Sequence, residues 1–234
     1  MDMMLKTLKE GLPLLGLDLS EEICVQLCDF GRAMVKQNEV MNLTGITEDE
    51  PVAKLHLLDS LTVMSCVDLA GKSIIDVGCG AGFPGVPLSI ACPSAKVTLL
   101  DSLAKRMNWL ETAVPQLGVQ NATFVTARAE EAVTKCRESY DYATSRAVAR
   151  LNILLELTAP YVKVGGAVLA MKGAAAKEEL EEAKSAISKL GLKIEAVREF
   201  PIDGTAHAVI VLRKVSPTPA KYPRRFAKIK QNPL

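Results

Sequence analysis

The stretch SIIDVGCGAGFPG, residues 73–85, is a short apolar run that breaks into closely spaced glycines. A short apolar run bounded by turn residues is typical of a buried β-strand. The glycines allow the backbone to approach another group without the clash of a Cβ atom. We therefore expect a strand, a tight loop and then a helix, with a nucleotide-like ligand bound at the loop.

Two ligand-binding patterns overlap in this loop. From Gly80 onward, GAGFPG fits the dinucleotide pattern G-x-G-x-x-G. From Asp76 onward, DVGCGAG fits D-x-G-x-G-x-G, the loop of enzymes that bind S-adenosylmethionine. Asp101 ends the next apolar run, where a carboxylate can accept hydrogen bonds from ribose hydroxyls. Both classes share that feature, so Asp101 does not separate them.

Three other features favour S-adenosylmethionine. Asp76, just before the glycines, suits a ligand with cationic groups and would repel a pyrophosphate. Pro84, at the start of the following helix, lacks an N–H group that could hold a phosphate. The chain also ends its apolar runs with a predicted antiparallel hairpin, which methyltransferase sheets have and nicotinamide-binding domains lack.

From residue 72 onward, short apolar runs alternate with segments of helical period, which predicts a parallel sheet covered by helices. The loop between the last two runs is too short for a crossover helix, so these runs should pair antiparallel. We predict an α/β fold of the Rossmann-like class I methyltransferase type, with a seven-stranded, mostly parallel sheet and an antiparallel last strand. The predicted strands are 73–77, 96–101, 122–127, 140–145, 166–171, 193–200 and 207–214.

Three regions are expected: an N-terminal helical extension at 1–70, an S-adenosylmethionine-binding methyltransferase domain at 71–215, and a basic C-terminal arm at 216–234. In the extension, Ser20 should cap one helix and Thr47 the next, with Glu50 completing a capping box. The arm follows Asp203, the last acidic residue, and has Pro217, Pro219 and Pro223 among its basic residues. We expect it to be extended and to lie outside the core.

Composition limits the other possibilities. The net charge is +1, and the six cysteines form no CxxC pair and no Cys/His spacing of a zinc site, so no metal is expected. No stretch approaches the roughly 20 apolar residues of a membrane span. The sequence predicts a cytoplasmic protein with no membrane segment and no obligate protein partner.

The acceptor atom is inferred from motifs that are missing after the fourth strand. ATSRAVAR, residues 143–150, lacks the N/D-P-P-Y/F motif of amine methylation, a cysteine nucleophile and any cluster of bases. Guanine N7 has a lone pair and no proton to remove, so positioning and desolvation suffice there. Arg146 is the candidate positioning residue, for the cofactor, a phosphate or the guanine edge. Alternatively, it forms a structural salt bridge to Glu130 or Asp101.

Several further side chains have two interpretations. His56 and Asp59 share a helix face, either over the mouth of the site or as a brace. His207 is expected to be a hydrogen-bonded core or edge histidine, and Lys172 could meet an RNA phosphate at the end of the fifth strand. The arm is expected to neutralise phosphates, so truncation after Pro219 should weaken RNA binding and spare cofactor binding. Its candidate RNA-binding residues are Lys221, Arg224, Arg225, Lys228 and Lys230.

The sequence resembles the bacterial small-subunit ribosomal RNA guanine-N7 methyltransferase family over nearly its whole length. The resemblance rests on NLTGI (42–46), HLLDSL (56–61), DVGCGAGFPGVPLSI (76–90), LLDSLAKRMNWLE (99–111), ARAEE (127–131), SRAVARL (145–151), MKG (171–173) and the tail KYPRR and KIKQNPL. It implies methyl transfer from S-adenosyl-L-methionine to N7 of a guanine in the 530 loop of 16S ribosomal RNA. The expected partner is 16S rRNA or the assembling small subunit.

The resemblance also implies which residues bind the cofactor. They are Gly78, Gly80 and Phe83 in the glycine loop, Asp101, Ser102 and Leu103 at the ribose, Ala129 and Glu130 at the adenine, and Arg146 after the fourth strand. One departure is that VKQNEVMN, before NLTGI, lacks the tryptophan–asparagine pair frequent in the family. The alternatives are an RNA methyltransferase of the same fold with a different acceptor base, and an RNA-binding assembly factor without turnover.

Overall fold

A computed structural model describes residues 2–234 of the chain. Its centre is one seven-stranded sheet with the strand order β3-β2-β1-β4-β5-β7-β6. The strands are β1 (Ser73–Val77), β2 (Lys96–Asp101), β3 (Ala122–Thr126), β4 (Tyr140–Arg146), β5 (Val162–Lys172), β6 (Leu192–Ile202) and β7 (Thr205–Lys214). All seven predicted strands are present, and β5, β6 and β7 extend beyond their predicted ends.

The strand directions confirm the predicted fold class. Strands β1 to β5 pair in parallel, and β7 lies antiparallel between β5 and β6. Only Asp203 and Gly204 connect β6 to β7, and both have a positive φ, of 53° and 67°. Such a pair makes the two-residue turn that suits the twist of a hairpin.

Helices cover both faces of the sheet because successive strand residues point to opposite sides. Leu169 belongs to the hydrophobic cluster on one face, whereas Val168 and Ala170 belong to the cluster on the other. The helices are α1 (Met3–Gly11), α2 (Glu21–Met41), α3 (Asp49–Val52), α4 (Asp59–Leu61), α5 (Gly85–Ala91), α6 (Ala104–Gln116), α7 (Ala129–Cys136), α8 (Leu151–Thr158), α9 (Ala176–Glu182), α10 (Lys184–Lys189) and α11 (Phe226–Gln231). A π-helical segment, Ala53–Leu58, joins α3 to α4.

The N-terminal helices share a core with the sheet. Phe30 on α2 and Leu57 in the π-helical segment are fully buried in the same cluster as Val97 and Leu99 of β2. The extension therefore packs on one face of the sheet and reaches the edge where the strands end.

Of the two helix caps predicted in the extension, the first is confirmed and the second is wrong. Ser20 caps α2, since its hydroxyl accepts a hydrogen bond from the Ile23 N–H. Thr47 does not cap α3: the N-cap is Glu48, without a side-chain cap bond. Glu50 pairs instead with Lys54 one turn on, so the predicted capping box does not form.

The C-terminal arm is also not excluded from the core, contrary to the sequence-based expectation. Thr218, Tyr222 and Ile229 are buried, and the arm ends in α11. Arg137 fastens it by donating hydrogen bonds to the carbonyl oxygens of Thr218, Pro219 and Tyr222. The prolines end regular structure, but the apolar residues between them pack against the body.

None of the helices in residues 2–234 combines the length and apolar character that crossing a membrane would require.

Candidate active site

A cavity of about 580 Å³ opens where the carboxyl ends of β1, β2 and β4 meet. In parallel α/β sheets, ligands bind in the crevice at this edge, where the strand order reverses. All nine residues predicted to bind the cofactor line this one cavity: Gly78, Gly80, Phe83, Asp101, Ser102, Leu103, Ala129, Glu130 and Arg146. The structure thus brings the whole predicted set together, although the role of each residue stays a prediction.

The glycine loop turns sharply at the end of β1. Gly78 and Gly80 have φ angles of 77° and 56°, a region that side-chain-bearing residues rarely adopt. A Cβ on Gly78 would lie 2.5 Å from Val148 Cγ2. A Cβ on Gly80 would meet nothing closer than Arg106, at 3.9 Å. Gly80 therefore leaves its side of the cavity open to a ligand.

Two other glycines of the quoted stretch serve packing. A Cβ on Gly82 would lie within about 3 Å of Phe30, Val86 and Leu110 in the core. A Cβ on Gly85 would lie 2.2 Å from Leu99 Cδ2. Neither residue lines the cavity, so the match to G-x-G-x-x-G reflects close packing of loop and helix against the sheet.

Asp101 holds the glycine loop in place. Its Oδ2 accepts a hydrogen bond from the Gly80 N–H at 2.9 Å, and its Oδ1 accepts one from the Leu103 N–H at 2.9 Å. A carboxylate oxygen can accept more than one hydrogen bond. Asp101 can therefore organise the loop and still accept hydrogen bonds from two ligand hydroxyls.

Asp76 does not line the cavity, contrary to the argument that it would meet cationic groups of a ligand there. It is fully buried, and its Oδ2 accepts a hydrogen bond from the Gly85 N–H at 2.8 Å. Burial raises the pKa of its carboxyl to about 7. Among residues 2–234, its Oδ1 has no hydrogen-bond partner. Asp76 acts here as a brace between β1 and α5.

Arg146 lies between the cavity and the N-terminal extension. Its Nη1 donates hydrogen bonds to Asp59 Oδ2 at 2.7 Å and to the Leu55 carbonyl at 2.9 Å. Its guanidinium also lies 5.2 Å from the centre of the Phe83 ring. Arg146 does form a salt bridge, but its partner is Asp59 and neither Glu130 nor Asp101.

Asp59 is a nearly buried carboxylate held by the imidazole of His207 and the guanidinium of Arg146. His207 Nδ1 lies 2.8 Å from Asp59 Oδ1, and His207 Nε2 contacts Thr205 Oγ1. Burial alone would raise the pKa of Asp59, but hydrogen bonds from His207 and Arg146 hold it below its usual range. The hydrogen bond to Asp59 in turn raises the pKa of His207. Asp59 is thus a brace, and His207 is hydrogen-bonded as expected.

His56 contributes to the cavity itself. Its ring stacks on Phe83 at a centroid distance of 4.9 Å. Burial, and then the charge of Arg146, lower the pKa of His56 to about 4, so the ring is neutral. Because Arg146 can only donate, His56 Nδ1 accepts from it, and His56 Nε2–H donates to Thr44 Oγ1 at 2.9 Å.

The arm supplies a cavity residue that the sequence did not reveal. Phe226, the first residue of α11, lines the cavity beside Ala129 and Glu130. The guanidinium of Arg128 lies 4.7 Å from the centre of the Phe226 ring. Other lining residues absent from the predicted set include Leu43, Thr44, His56, Arg106, Arg128 and Val148. The lone aromatic residue in a basic segment, RRFAKIK, was the available signal for Phe226.

Comparison with known proteins agrees with this geometry. The family model described as rRNA small subunit methyltransferase G matches residues 23–206. The chain belongs to this family. It is 42% identical over 232 residues to the Ribosomal RNA small subunit methyltransferase G of Alkaliphilus metalliredigens, covering 97% of each protein. It is also 42% identical over 224 residues to that of Clostridium beijerinckii, covering 94% of each.

Solved structures share the fold at low sequence identity. One is the precorrin-6y C5,15-methyltransferase of Geobacter metallireducens, with a TM-score of 0.53 and 15% identity, covering 74% of this chain and 92% of that one. Another is an M. jannaschii protein in complex with AdoMet, with a TM-score of 0.54 and 16% identity, covering 68% and 76%. The sheet is therefore that of the class I methyltransferases, as expected of a member of this family.

The cations predicted to bind RNA fall into two groups. Lys172 Nζ donates to the Ala149 carbonyl and lies 2.8 Å from Glu179 Oε2. Arg224 makes a two-pronged ion pair with Glu156, which is fully buried. Neither geometry leaves a free cation for a phosphate. In contrast, the other four are exposed and form no ion pair within residues 2–234: Lys221, Arg225, Lys228 and Lys230.

Proposed function

We propose that the protein transfers a methyl group from S-adenosyl-L-methionine to N7 of a guanine in the 530 loop of 16S rRNA. One observation carries the proposal. The glycine loop and Asp101 meet in a cavity that also gathers Phe83, Arg146 and the start of α7, in a chain of this family. A cavity of about 580 Å³ lies within the range of roughly 300–1,000 Å³ that small-molecule sites span.

The residues present fit this cofactor. Asp101 keeps acceptor capacity for the two ribose hydroxyls, because each of its oxygens accepts only one backbone N–H. Ala129, Glu130 and Phe226 form the wall on which an adenine would lie. Gly80 leaves room for a ligand that crosses the loop toward Arg146.

The chemistry needs no general base. When bound, the cofactor would supply an activated methyl group, and N7 would accept it through a lone pair that it already carries. No proton moves in this step. His56, the histidine at the cavity, already uses both ring nitrogens in hydrogen bonds. The protein's contribution is therefore to position the two reactants and exclude water.

Replacing Phe226 with alanine is expected to weaken cofactor binding roughly tenfold, since an aromatic contact with a base contributes about 1–3 kcal/mol. Calorimetric titration with S-adenosylhomocysteine measures this. Lys230→Ala, on the same short helix but outside the cavity lining, should leave the affinity unchanged. Truncation after Pro219 removes Phe226 as well, so it should weaken cofactor binding, contrary to the prediction from the sequence. Equal affinities of F226A and the wild type would remove Phe226 from the cofactor site.

The four exposed cations of the arm are proposed to contact RNA phosphates. If three or four of them do so, log affinity for RNA should fall against log salt with a slope of roughly −2 to −4. Replacing Lys228 and Lys230 together should reduce the slope by about 2 without changing the affinity for S-adenosylhomocysteine. Filter binding across a salt series gives both slopes, and an unchanged slope would exclude these lysines from the interface.

The proposed activity is tested by mapping 7-methylguanine in rRNA. Borohydride–aniline treatment cleaves RNA at this base, and primer extension then locates the break. Cells with the wild-type protein should show one cleavage in the 530 loop, and cells without it, or with a Gly80→Val variant, should show none. Identical patterns in all three would reject the activity. Methyl label in rRNA at a site insensitive to aniline would instead identify a different acceptor base.

A further inference from the structure

A second cavity, of about 410 Å³, adjoins the first at the ends of β4 and β5. The two cavities share Arg146, Ala147 and Val148 as lining residues. Side chains that line only the second cavity include Lys172, Glu179 and His207. A group bound in it would therefore face the cofactor cavity across the β4–α8 loop.

Glu179 is the carboxylate in this cavity that has a free oxygen. Its Oε2 accepts the Leu151 N–H at 2.7 Å and lies 2.8 Å from Lys172 Nζ. Within residues 2–234, its Oε1 has no hydrogen-bond partner, although only 13% of the side chain is exposed. Lys172 and the N-terminus of α8 thus hold one oxygen and leave the other to accept hydrogen bonds from a ligand.

Arg146 supplies donors at the boundary of the two cavities. Three of its five N–H groups are used, by Asp59, Leu55 and His56. The Nε–H and one Nη2–H remain. The second cavity therefore offers donors on the side toward the cofactor and an acceptor carboxylate on a different wall.

Guanine has the matching arrangement of groups. Its N1–H and 2-amino group are adjacent donors on one edge, and O6 is an acceptor next to N7. We propose, on the basis of the proposed function, that the second cavity binds the acceptor guanine. Glu179 Oε1 accepts from N1–H and the 2-amino group, and Arg146 donates to O6, which leaves N7 facing the cofactor cavity.

This arrangement explains the choice of base. Adenine would place its 6-amino donor against the Arg146 donors and would offer no N1–H to Glu179. The pyrimidines have no N7. A wrong base would leave Glu179 or Arg146 desolvated and without a hydrogen bond. The free-energy cost of such an unpaired group disfavours binding of that base. The role of Lys172 is then to fix Glu179, and it acts as a positioning residue.

The test compares guanine with inosine at the mapped acceptor position of a synthetic RNA. Inosine lacks only the 2-amino group and keeps N7, O6 and N1–H. The wild-type enzyme should methylate guanine at least roughly tenfold more efficiently, measured as kcat/KM. In Glu179→Gln that preference should fall to about one. Any effect of inosine on RNA folding is the same for both enzymes, so the change in ratio reports the contact.

The matched control is Glu181→Gln, on the same helix, where the carboxylate pairs with Lys184 at the surface. It should keep the wild-type preference. If E179Q does not fold, the double variant E179Q with Lys172→Met is tested in its place, because it removes both charges of the ion pair. An unchanged guanine preference in the Glu179 variant overturns the inference, as does a wild-type enzyme that methylates both bases equally. A wild-type enzyme that methylates no guanine N7 overturns the proposed function itself.

Discussion

Replacing Asp101 with alanine is expected to lower the affinity for S-adenosylmethionine by about 100-fold or more. The carboxylate would accept two ribose hydroxyls, and a hydrogen bond to a charged group contributes about 1.5–3 kcal/mol. The variant also releases the N–H groups of Gly80 and Leu103, whose hydrogen bonds to Asp101 fix the glycine loop at the cavity. Calorimetric titration with S-adenosylhomocysteine measures the loss.

Two comparisons separate ligand binding from folding. Asp101→Asn keeps the size of the side chain but replaces one acceptor oxygen with a donor, so a large part of the loss should remain. Glu131→Ala removes a carboxylate near the surface of α7, outside the cavity lining, and should bind like the wild type. Thermal unfolding shows whether each variant is folded at the titration temperature. An Asp101→Asn variant that is folded and binds with wild-type affinity would show that the ribose lies elsewhere.

The sheet could be predicted closely because its signals are local. The bounds of β1 and β2 follow from short apolar runs that end in Asp or Gly. The predicted first and last residues of both strands match the observed ones. The hairpin between β6 and β7 followed from loop length alone, since the predicted loop at 201–206 is too short for a crossover helix. Such features depend only on residues that are near one another in the sequence, so they can be predicted from the sequence.

The network behind Arg146 could not be predicted in the same way. Its partner Asp59 lies 87 residues earlier, and Asp59 is also held by His207, which lies 148 residues beyond it. The sequence offered Glu130 and Asp101 as partners because both follow strands at the same sheet edge. The correct partner comes from the N-terminal extension, and its position depends on how those helices pack on the sheet.

The packing of the C-terminal arm could not be predicted from the sequence either. Its sequence displays prolines and positive charge, which are typical of a solvated segment. What holds it in place is a set of long-range partners, such as Arg137 and the buried Glu156 on α8. Arg224 and Arg225 are adjacent and chemically identical, yet one is an anchor and the other is exposed. Only the fold distinguishes them.

Arg224→Ala is therefore expected to destabilise the protein by about 3–5 kcal/mol, because it leaves the buried carboxylate of Glu156 without its charged partner. At about 2–4 °C per kcal/mol for a chain of this size, the unfolding temperature should fall by roughly 6–20 °C. Arg225→Ala is the matched control and should unfold within a degree or two of the wild type while binding RNA more weakly. Arg224→Met combined with Glu156→Met should recover much of the loss, since it removes the buried charge as well as its partner. If R224A and R225A unfold at the same temperature, the ion pair does not anchor the arm, and Arg224 returns to the set of RNA-binding candidates.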